Sequence, residues 1–234
     1  MTDPIKFLEK DFVLNADMID ALSEEKTKVV YSEDDGVLLK LDDGEFYAVS
    51  AGSPEAMTKM VNLIKGERFC GIVRPFRFLP EIFAVKGRMG SEPCYQTVYT
   101  SKELLPEKEV PGITVKPLTM ENLRFVCDNY EDDEEYIGSR IKYGMFGAFN
   151  EKDECVAFIG CHGEGSMGLL FVLPEYRRMG IGEALETKMI NRRVSEGRIP
   201  YGHVVVGNEK SLGLQRKRGM KLSEKLVTWV FNGW

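Results

Sequence analysis

The fold is decided by one stretch in the second half of the chain, residues 167–197, which reads MGLLFVLPEYRRMGIGEALETKMINRRVSEG. An apolar strand leads to a turn at Pro174, two arginines follow, and Gly180-Ile181-Gly182 opens a long amphipathic helix. Backbone N–H groups at the start of a helix have no intrahelical partner, and the helix dipole adds about half a positive charge there. The pattern therefore indicates a site for a phosphate-bearing ligand, or alternatively a tight strand-to-helix connection that needs glycine.

The composition of the whole chain indicates the class of protein to which this stretch belongs. The chain has 234 residues, of which 43% are hydrophobic and 10% aromatic, which is typical of a globular protein. A net charge of -6 argues against sequence-independent binding to nucleic acid, since that mode needs clustered Lys and Arg. No stretch approaches 18 consecutive apolar residues and the N-terminus lacks a signal-peptide pattern, so we expect a cytoplasmic protein that is not bound to a membrane. Five scattered cysteines predict buried free thiols and no metal site.

The first half predicts a helix, a meander and further mixed elements. Apolar residues at helical spacing predict a helix over residues 5–25, and alternation with two Asp-Gly turns, at 35–36 and 43–44, predicts three antiparallel strands. Ser53 and Pro54 begin a second helix that should run to Gly66. The charged, proline-containing segment 102–112 is the best linker, which gives two domains, residues 1–110 and 111–234.

The second half predicts an alternation of strands and helices. The helices are expected at residues 120–130, 132–143, 180–197 and 209–218, and the strands at 113–117, 144–149, 155–161, 166–173, 203–206 and 222–231.

Two motifs in this half resemble those of one large superfamily. VLPEYRRMGIGEAL, residues 172–185, is similar to motif A of the GNAT acyltransferases, with Arg177, Gly180 and Gly182 on its R-x-x-G-x-G positions. A second motif of the superfamily is matched by residues 201–220, at Asn208, Ser211, Leu214, Gly219 and Met220. The resemblance implies an α+β protein with a mixed α/β sheet and a GNAT fold over residues 111–234. It is most similar to the glycine N-acyltransferase-like branch, which implies a degenerate GNAT-like N-terminal half.

The resemblance also implies a co-substrate, acetyl-CoA or another acyl-CoA, without a metal. Its pyrophosphate would lie on the backbone amides of the arginine and glycine turn, and its pantetheine arm along the preceding strand. Asn208 and Ser211 would reach the pantetheine or the phosphate end, although Asn208 is equally suited to capping a helix. The cofactor-binding residues expected on this basis are Phe171, Val172, Leu173, Arg177, Arg178, Met179, Gly180, Ile181, Gly182, Glu183, Asn208 and Ser211.

Three catalytic residues are predicted at the same strand. The backbone N–H of Val172 is the candidate donor to the oxyanion. The branch places a glutamate eight residues before the motif proline, and that position is Ser166 here. Glu164 lies two residues earlier and would share its face if the strand begins that early, so Glu164 and His162 are the candidate bases. The alternative for Glu164 is a solvated turn.

The sequence does not identify a general acid for the leaving thiolate. Many members of the superfamily carry a tyrosine as general acid where this chain has Gln215, which cannot donate a proton as an acid. Tyr201 or water could replace it.

The function predicted from these observations is N-acetyl transfer from acetyl-CoA to a primary amine of a small molecule or peptide, by direct attack in a ternary complex. The alternative is a non-catalytic acyl-CoA-binding or regulatory module. The acidic run at residues 128–135 would suit a cationic acceptor, but acidic residues also stabilise a helix N-terminus without any ligand. Among partners we expect the amine acceptor and no nucleic acid or membrane, with a homodimer as one option.

Overall fold

A computed structural model describes residues 2–41, 46–66 and 69–231 of the chain. The helices are α1 (Pro4–Leu8), α2 (Phe12–Ala21), α3 (Pro54–Leu63), α4 (Leu79–Lys86), α5 (Leu123–Asn129), α6 (Glu134–Gly144), α7 (Ile181–Ser195) and α8 (Glu209–Lys217). The strands are β1 (Lys28–Glu33), β2 (Gly36–Lys40), β3 (Phe46–Ala51), β4 (Cys70–Arg74), β5 (Gly90–Val98), β6 (Thr114–Pro117), β7 (Phe146–Phe149), β8 (Cys155–Cys161), β9 (Met167–Val172), β10 (Tyr201–Val205), β11 (Lys221–Leu222) and β12 (Val227–Phe231).

Two compact units share these elements. The first comprises residues 1–98, 203–212 and 221–234, and the second comprises residues 99–202 and 213–220. The division is not a single cut, because the last strand of the chain pairs with β4 and β5, far from it in sequence. The predicted two-domain organisation, 1–110 and 111–234, concerns the sequence halves and stays a prediction.

The first unit is built on a mixed sheet with helices on both faces. The sheet runs in the order β1-β2-β3-β4-β12-β5-β10, with β11 also on β5, and β3 and β4 are its parallel pair among those with described register. The apolar faces of α3 and α4 pack on one side, and α1 and α2 cover the other. The predicted meander is confirmed by the antiparallel pairing of β1, β2 and β3, although the turn at 43–44 lies outside the described residues.

The second unit contains a four-stranded antiparallel sheet in the order β6-β7-β8-β9. Buried residues of α7 pack on one face of this sheet, and buried residues of α5 and α6 pack on the other. β9 is an edge strand, and α7 begins shortly after it ends. This arrangement brings the stretch that was singled out in the sequence to one edge of the sheet.

Three predicted elements are corrected by the structure. The helix expected over residues 5–25 is broken into α1, a short 3-10 helix and α2, because the Asp11 side chain accepts from the N–H of Leu14 and starts a new helix. The helix from Ser53 ends at Leu63 instead of Gly66. The strand expected over residues 222–231 is divided into β11 and β12.

All five cysteines are free thiols, but only Cys94 and Cys161 are buried, and Cys70 is exposed. Burial raises the pKa of Cys94 to about 12 and that of Cys161 to about 11, so neither is a ready nucleophile at neutral pH. In the described part of the chain, no helix is both long and apolar enough to span a membrane.

Candidate active site

The free edge of β9 provides the first component of the site. β9 pairs with β8 alone in the four-stranded sheet, and the N–H of Leu173 bonds the carbonyl of Val156 at 3.0 Å. Because hydrogen-bonding direction alternates along an antiparallel strand, the N–H and C=O of Val172 point away from β8. Arg177 Nε donates to the Val172 carbonyl at 2.9 Å, which agrees with this orientation.

A β-bulge interrupts β9 three residues before this point. Leu169 and Leu170 stand opposite the single residue Ile159, and Leu169 has a φ of 49°. Such a φ is unusual for a leucine and is held by the surrounding core, where Leu169 is buried. A bulge of this kind bends its strand and increases the local twist, just before the edge that Val172 presents.

The glycine turn, residues 177–183, provides the second component. Arg178 and Gly180 have φ values of 66° and 89°, and Gly180 is the N-cap of α7 without a side-chain cap. Within the described residues, no hydrogen bond is recorded to the backbone N–H groups of residues 178–183. A Cβ on Gly182 would lie 3.9 Å from Val172 Cγ2, so the glycine leaves a narrow space between β9 and α7. The turn is therefore an open set of donors at a helix N-terminus.

Charged side chains surround the same turn. Arg177, Arg178 and Met179 are exposed. Glu183, in the first turn of α7, forms a close ion pair with Arg218 and a looser one with Lys108, whose Nζ lies 3.6 Å from Glu183 Oε2.

The hairpin between β8 and β9 holds the predicted base. The structure places Glu164 in a turn, because β9 begins only at Met167, so the strand does not extend to Glu164 as its predicted position required. Its side chain lies beside the position where the related branch has its glutamate, since the buried Ser166 hydroxyl donates a close hydrogen bond to the Glu164 carboxylate. Tyr201 donates its hydroxyl to the Glu164 carbonyl at 2.6 Å, which anchors the turn.

His162 is held at the same hairpin by Tyr136. The Tyr136 hydroxyl oxygen accepts from the N–H of Gly163 at 3.3 Å and lies 3.2 Å from His162 Nδ1, within hydrogen-bonding distance. Which of these two atoms donates depends on the tautomer of the imidazole. His162 and Glu164 therefore belong to one turn, and both stay candidate bases.

The negative charge of Glu164 helps to raise the pKa of two nearby tyrosines. Burial raises the pKa of Tyr136 to about 12, and the negative charge of Glu164 adds to this effect. The pKa of Tyr130 is raised by burial, then by Asp132 and Glu164. The hairpin carboxylate and the acidic segment before α6 therefore act on the same aromatic side chains.

A buried carboxyl group was missed by the sequence argument. Glu186 is 2% exposed, receives a close hydrogen bond from Gln215, and has its Oε2 without a partner among the described residues. Burial raises its pKa to about 8, against the opposing effects of Arg218 and Gln215, so this acid is mostly neutral at pH 7. The signal was present in the sequence, because Glu186 interrupts the apolar face of α7 one turn after Gly182.

Asn208 and Ser211 belong to the first compact unit, whereas the rest of the predicted site lies in the second. Asn208 Oδ1 accepts from the N–H of Ser211 at 3.1 Å, which is the helix-capping geometry. Thus the structure brings together the strand and turn residues from Phe171 to Glu183, and gives Asn208 a capping role at α8.

Comparisons with known proteins agree with this arrangement. Residues 115–220 match the model of the acetyltransferase (GNAT) family. This part of the chain is a GNAT domain. It contains both strands of the hairpin, the glycine turn and α7, and the match confirms the resemblance of the two motifs. No curated protein matches the chain.

Solved structures share the fold at low identity. A Drosophila protein is 18% identical with a TM-score of 0.66, over 84% of this chain and 74% of that one. A putative GNAT-family acetyltransferase from Novosphingobium aromaticivorans is 18% identical with a TM-score of 0.59, over 95% and 99% of the two chains. A GCN5-related N-acetyltransferase from Kribbella flavida is 12% identical with a TM-score of 0.60, over 95% of each chain. These likenesses confirm an α+β protein with a mixed sheet and a GNAT fold, and that fold is consistent with acyl transfer.

Proposed function

We propose that the protein is an N-acetyltransferase that transfers the acetyl group of acetyl-CoA to a primary amine of a small molecule or peptide. The observation that carries this proposal is the open glycine turn beside the free edge of β9. The family match supports acyl transfer in general, and the geometry of the turn supports a phosphate-bearing acyl donor.

The residues present fit such a donor. Free N–H groups of residues 178–183 would bind its pyrophosphate, and the positions of Gly180 and Gly182 are spaces that a Cβ would fill. The pantetheine arm would lie along the free edge of β9 from Phe171 to Leu173, where the Val172 C=O, which accepts from Arg177 in this structure, points outward. Acetyl-CoA supplies the activated acyl group as a thioester.

Two groups of the chain would act on the reacting atoms. The N–H of Val172 would stabilise negative charge on the thioester oxygen, an interaction whose loss costs about 3 kcal/mol in other enzymes. Glu164 would take the proton of the attacking amine, directly or through water, and Ser166 would orient its carboxylate. As the C–N bond forms, the C–S bond of the thioester would break, and the leaving CoA thiolate would take its proton from water. His162 would help to hold the Glu164 turn in place, because it lies within hydrogen-bonding distance of Tyr136, whose hydroxyl accepts from the N–H of Gly163.

A second candidate is an acyl-CoA-binding module without turnover. Gln215 favours it, because this amide is buried and bound to Glu186 and cannot protonate a leaving thiolate. Both candidates share the cofactor site and differ only in chemistry.

One experiment separates the candidates. Calorimetric titration with acetyl-CoA and with free CoA is followed by a thiol-release assay over a panel of polyamines, amino acids including glycine, and a lysine-containing peptide. Binding with thiol release supports the transferase, and binding without release from any amine supports the module. The absence of binding would contradict both.

The role of Glu164 as general base is tested with an amine from this panel that gives thiol release. Glu164→Gln should lower kcat by roughly 100-fold, because it removes a base that contributes about 10² to 10⁴ in rate. It should leave acetyl-CoA affinity unchanged. Glu121→Gln, a change at an exposed glutamate of the same unit, is the control. An unaltered kcat in Glu164→Gln would transfer the role to water or His162.

A further inference from the structure

Lys108 lies in the segment before β6, outside both motifs, yet it reaches the glycine turn. A Cβ placed on Gly180 would lie 3.7 Å from Lys108 Nζ and 4.0 Å from Val110 Cγ2. The ammonium group therefore stands directly above the residue that opens α7, where the N–H groups of the turn are free.

The resting partner of Lys108 is weak. Its Nζ is 3.6 Å from Glu183 Oε2, and the Lys108 side chain is 56% exposed. An ion pair of this length and exposure is easily broken, whereas the second partner of Glu183, Arg218, is closer and more buried. Glu183 would thus keep a cation if Lys108 moved away.

There is also room for Lys108 to move. The segment from Glu107 to Val115 borders a cavity of about 640 Å³, together with Ala184 and Lys188 of α7. The same cavity wall contains Lys188, which lies about two helical turns after Gly180 in α7. Its Nζ is 2.8 Å from Glu107 Oε1.

We infer that Lys108 is a ligand for the phosphate groups of the acyl-CoA, held beside the glycine turn by Glu183 until the phosphate replaces the carboxylate. This inference rests on the proposed function, since it assumes that the turn binds the pyrophosphate. A phosphate on the free amides of the turn would carry more negative charge than Glu183 and would lie against the same ammonium group. The segment between the sequence halves then takes part in binding.

The test uses the full-length chain and measures the Kd of acetyl-CoA, 3'-dephospho-CoA and pantetheine. Lys108→Gln should weaken acetyl-CoA binding by about 10-fold at low salt, because it removes one charge-assisted contact. The same loss on 3'-dephospho-CoA assigns the contact to the pyrophosphate, and a loss confined to acetyl-CoA assigns it to the 3'-phosphate. Pantetheine, which has no phosphate, should bind the variant and the unmodified protein equally.

Two further variants separate a specific contact from net charge. Lys188→Gln removes the same charge on the same cavity wall and should leave the Kd unchanged, and Lys108→Arg should retain most of the affinity. In a Glu183→Gln background, where the Glu183 carboxylate no longer competes for Lys108, the loss caused by Lys108→Gln should grow. Equal losses in Lys108→Gln and Lys188→Gln, or no loss in Lys108→Gln, would overturn the inference. Absence of acetyl-CoA binding by the unmodified protein would overturn the proposed function itself, and the inference with it.

Discussion

α3 and α7 each follow a strand, and their first turns are built in opposite ways. At the start of α3, the Ser53 hydroxyl accepts from the N–H of Ala56 at 3.2 Å, and Pro54 removes one further donor. The carboxylate of Glu55 occupies the same turn, and hydrogen bonds from its own N–H and from Ser53 lower its pKa. α7 begins at a left-handed Gly180 with no side-chain cap.

The difference separates a structural helix start from a binding one. α3 satisfies its N-terminal donors with its own side chains, so nothing is left for a ligand. α7 leaves its donors open and has glycine where a side chain would obstruct approach. An open helix start costs stability, and a bound anion would recover that cost.

The largest effect is expected where the open turn is closed. Gly182→Val should fill the space beside Val172 that the glycine leaves open and block the approach of the phosphate to the turn, which should weaken acetyl-CoA binding roughly 100-fold, or about 3 kcal/mol. Calorimetric titration of folded protein measures it.

The matched control lies in α8. Gly213→Ala adds a Cβ that meets no atom within 4 Å and should leave the affinity unchanged. If Gly182→Val bound acetyl-CoA as well as the unmodified chain does, the contrast between the two helix starts would have no functional meaning.

The next effect concerns the buried acid that α7 carries and α3 lacks. Because the pKa of Glu186 is raised to about 8, the folded state keeps a proton that the unfolded state releases above about pH 4.5. The protein should therefore lose stability as the pH rises towards 8, and Glu186→Gln should remove this loss. We expect Glu186→Gln to gain about 2 kcal/mol relative to the unmodified chain between pH 5 and pH 6.5.

Urea unfolding of both proteins at the two pH values measures this difference. A stability difference independent of pH would show that Glu186 is ionised in the folded state, with Arg218 as its counter-ion.

The smallest effect is expected at the capped start. Ser53→Ala should cost about 1 kcal/mol in the free energy of unfolding, because it leaves one helix donor without a partner. Acetyl-CoA affinity should not change. A change in affinity with this variant would mean that the capped start also serves the ligand.

Local chemistry made much of the fold predictable. Ser53 and Pro54 predicted the start of α3, the Asp35-Gly36 pair predicted the β1–β2 hairpin, and the bounds of β8 coincide with those expected. The motif likewise predicted the turn, because few residue patterns place glycine and arginine together after an apolar strand. These elements depend on neighbours in sequence.

Features that depend on distant residues were not predictable. β12 lies between β4 and β5, which no local pattern indicates. Glu186 and Gln215 meet across two helices, and Lys108 meets Gly180 from a segment whose composition is that of a linker. The position of Glu164 was misjudged for a related reason, since a period of two applies only within an unbroken strand.

The bulge gives β9 one residue that its pairing with β8 does not use. Leu170 and Val172 face α7, whereas Leu169 and Phe171 face α5 and α6. Because the residues on both sides of the bulge keep their partners in β8, deleting Leu169 would leave regular pairing with every other residue of β9 on its present side. The deletion would remove one buried side chain and the extra twist of the bulge, so it would straighten the edge of β9 without moving the Glu164 hairpin to the other face of the sheet.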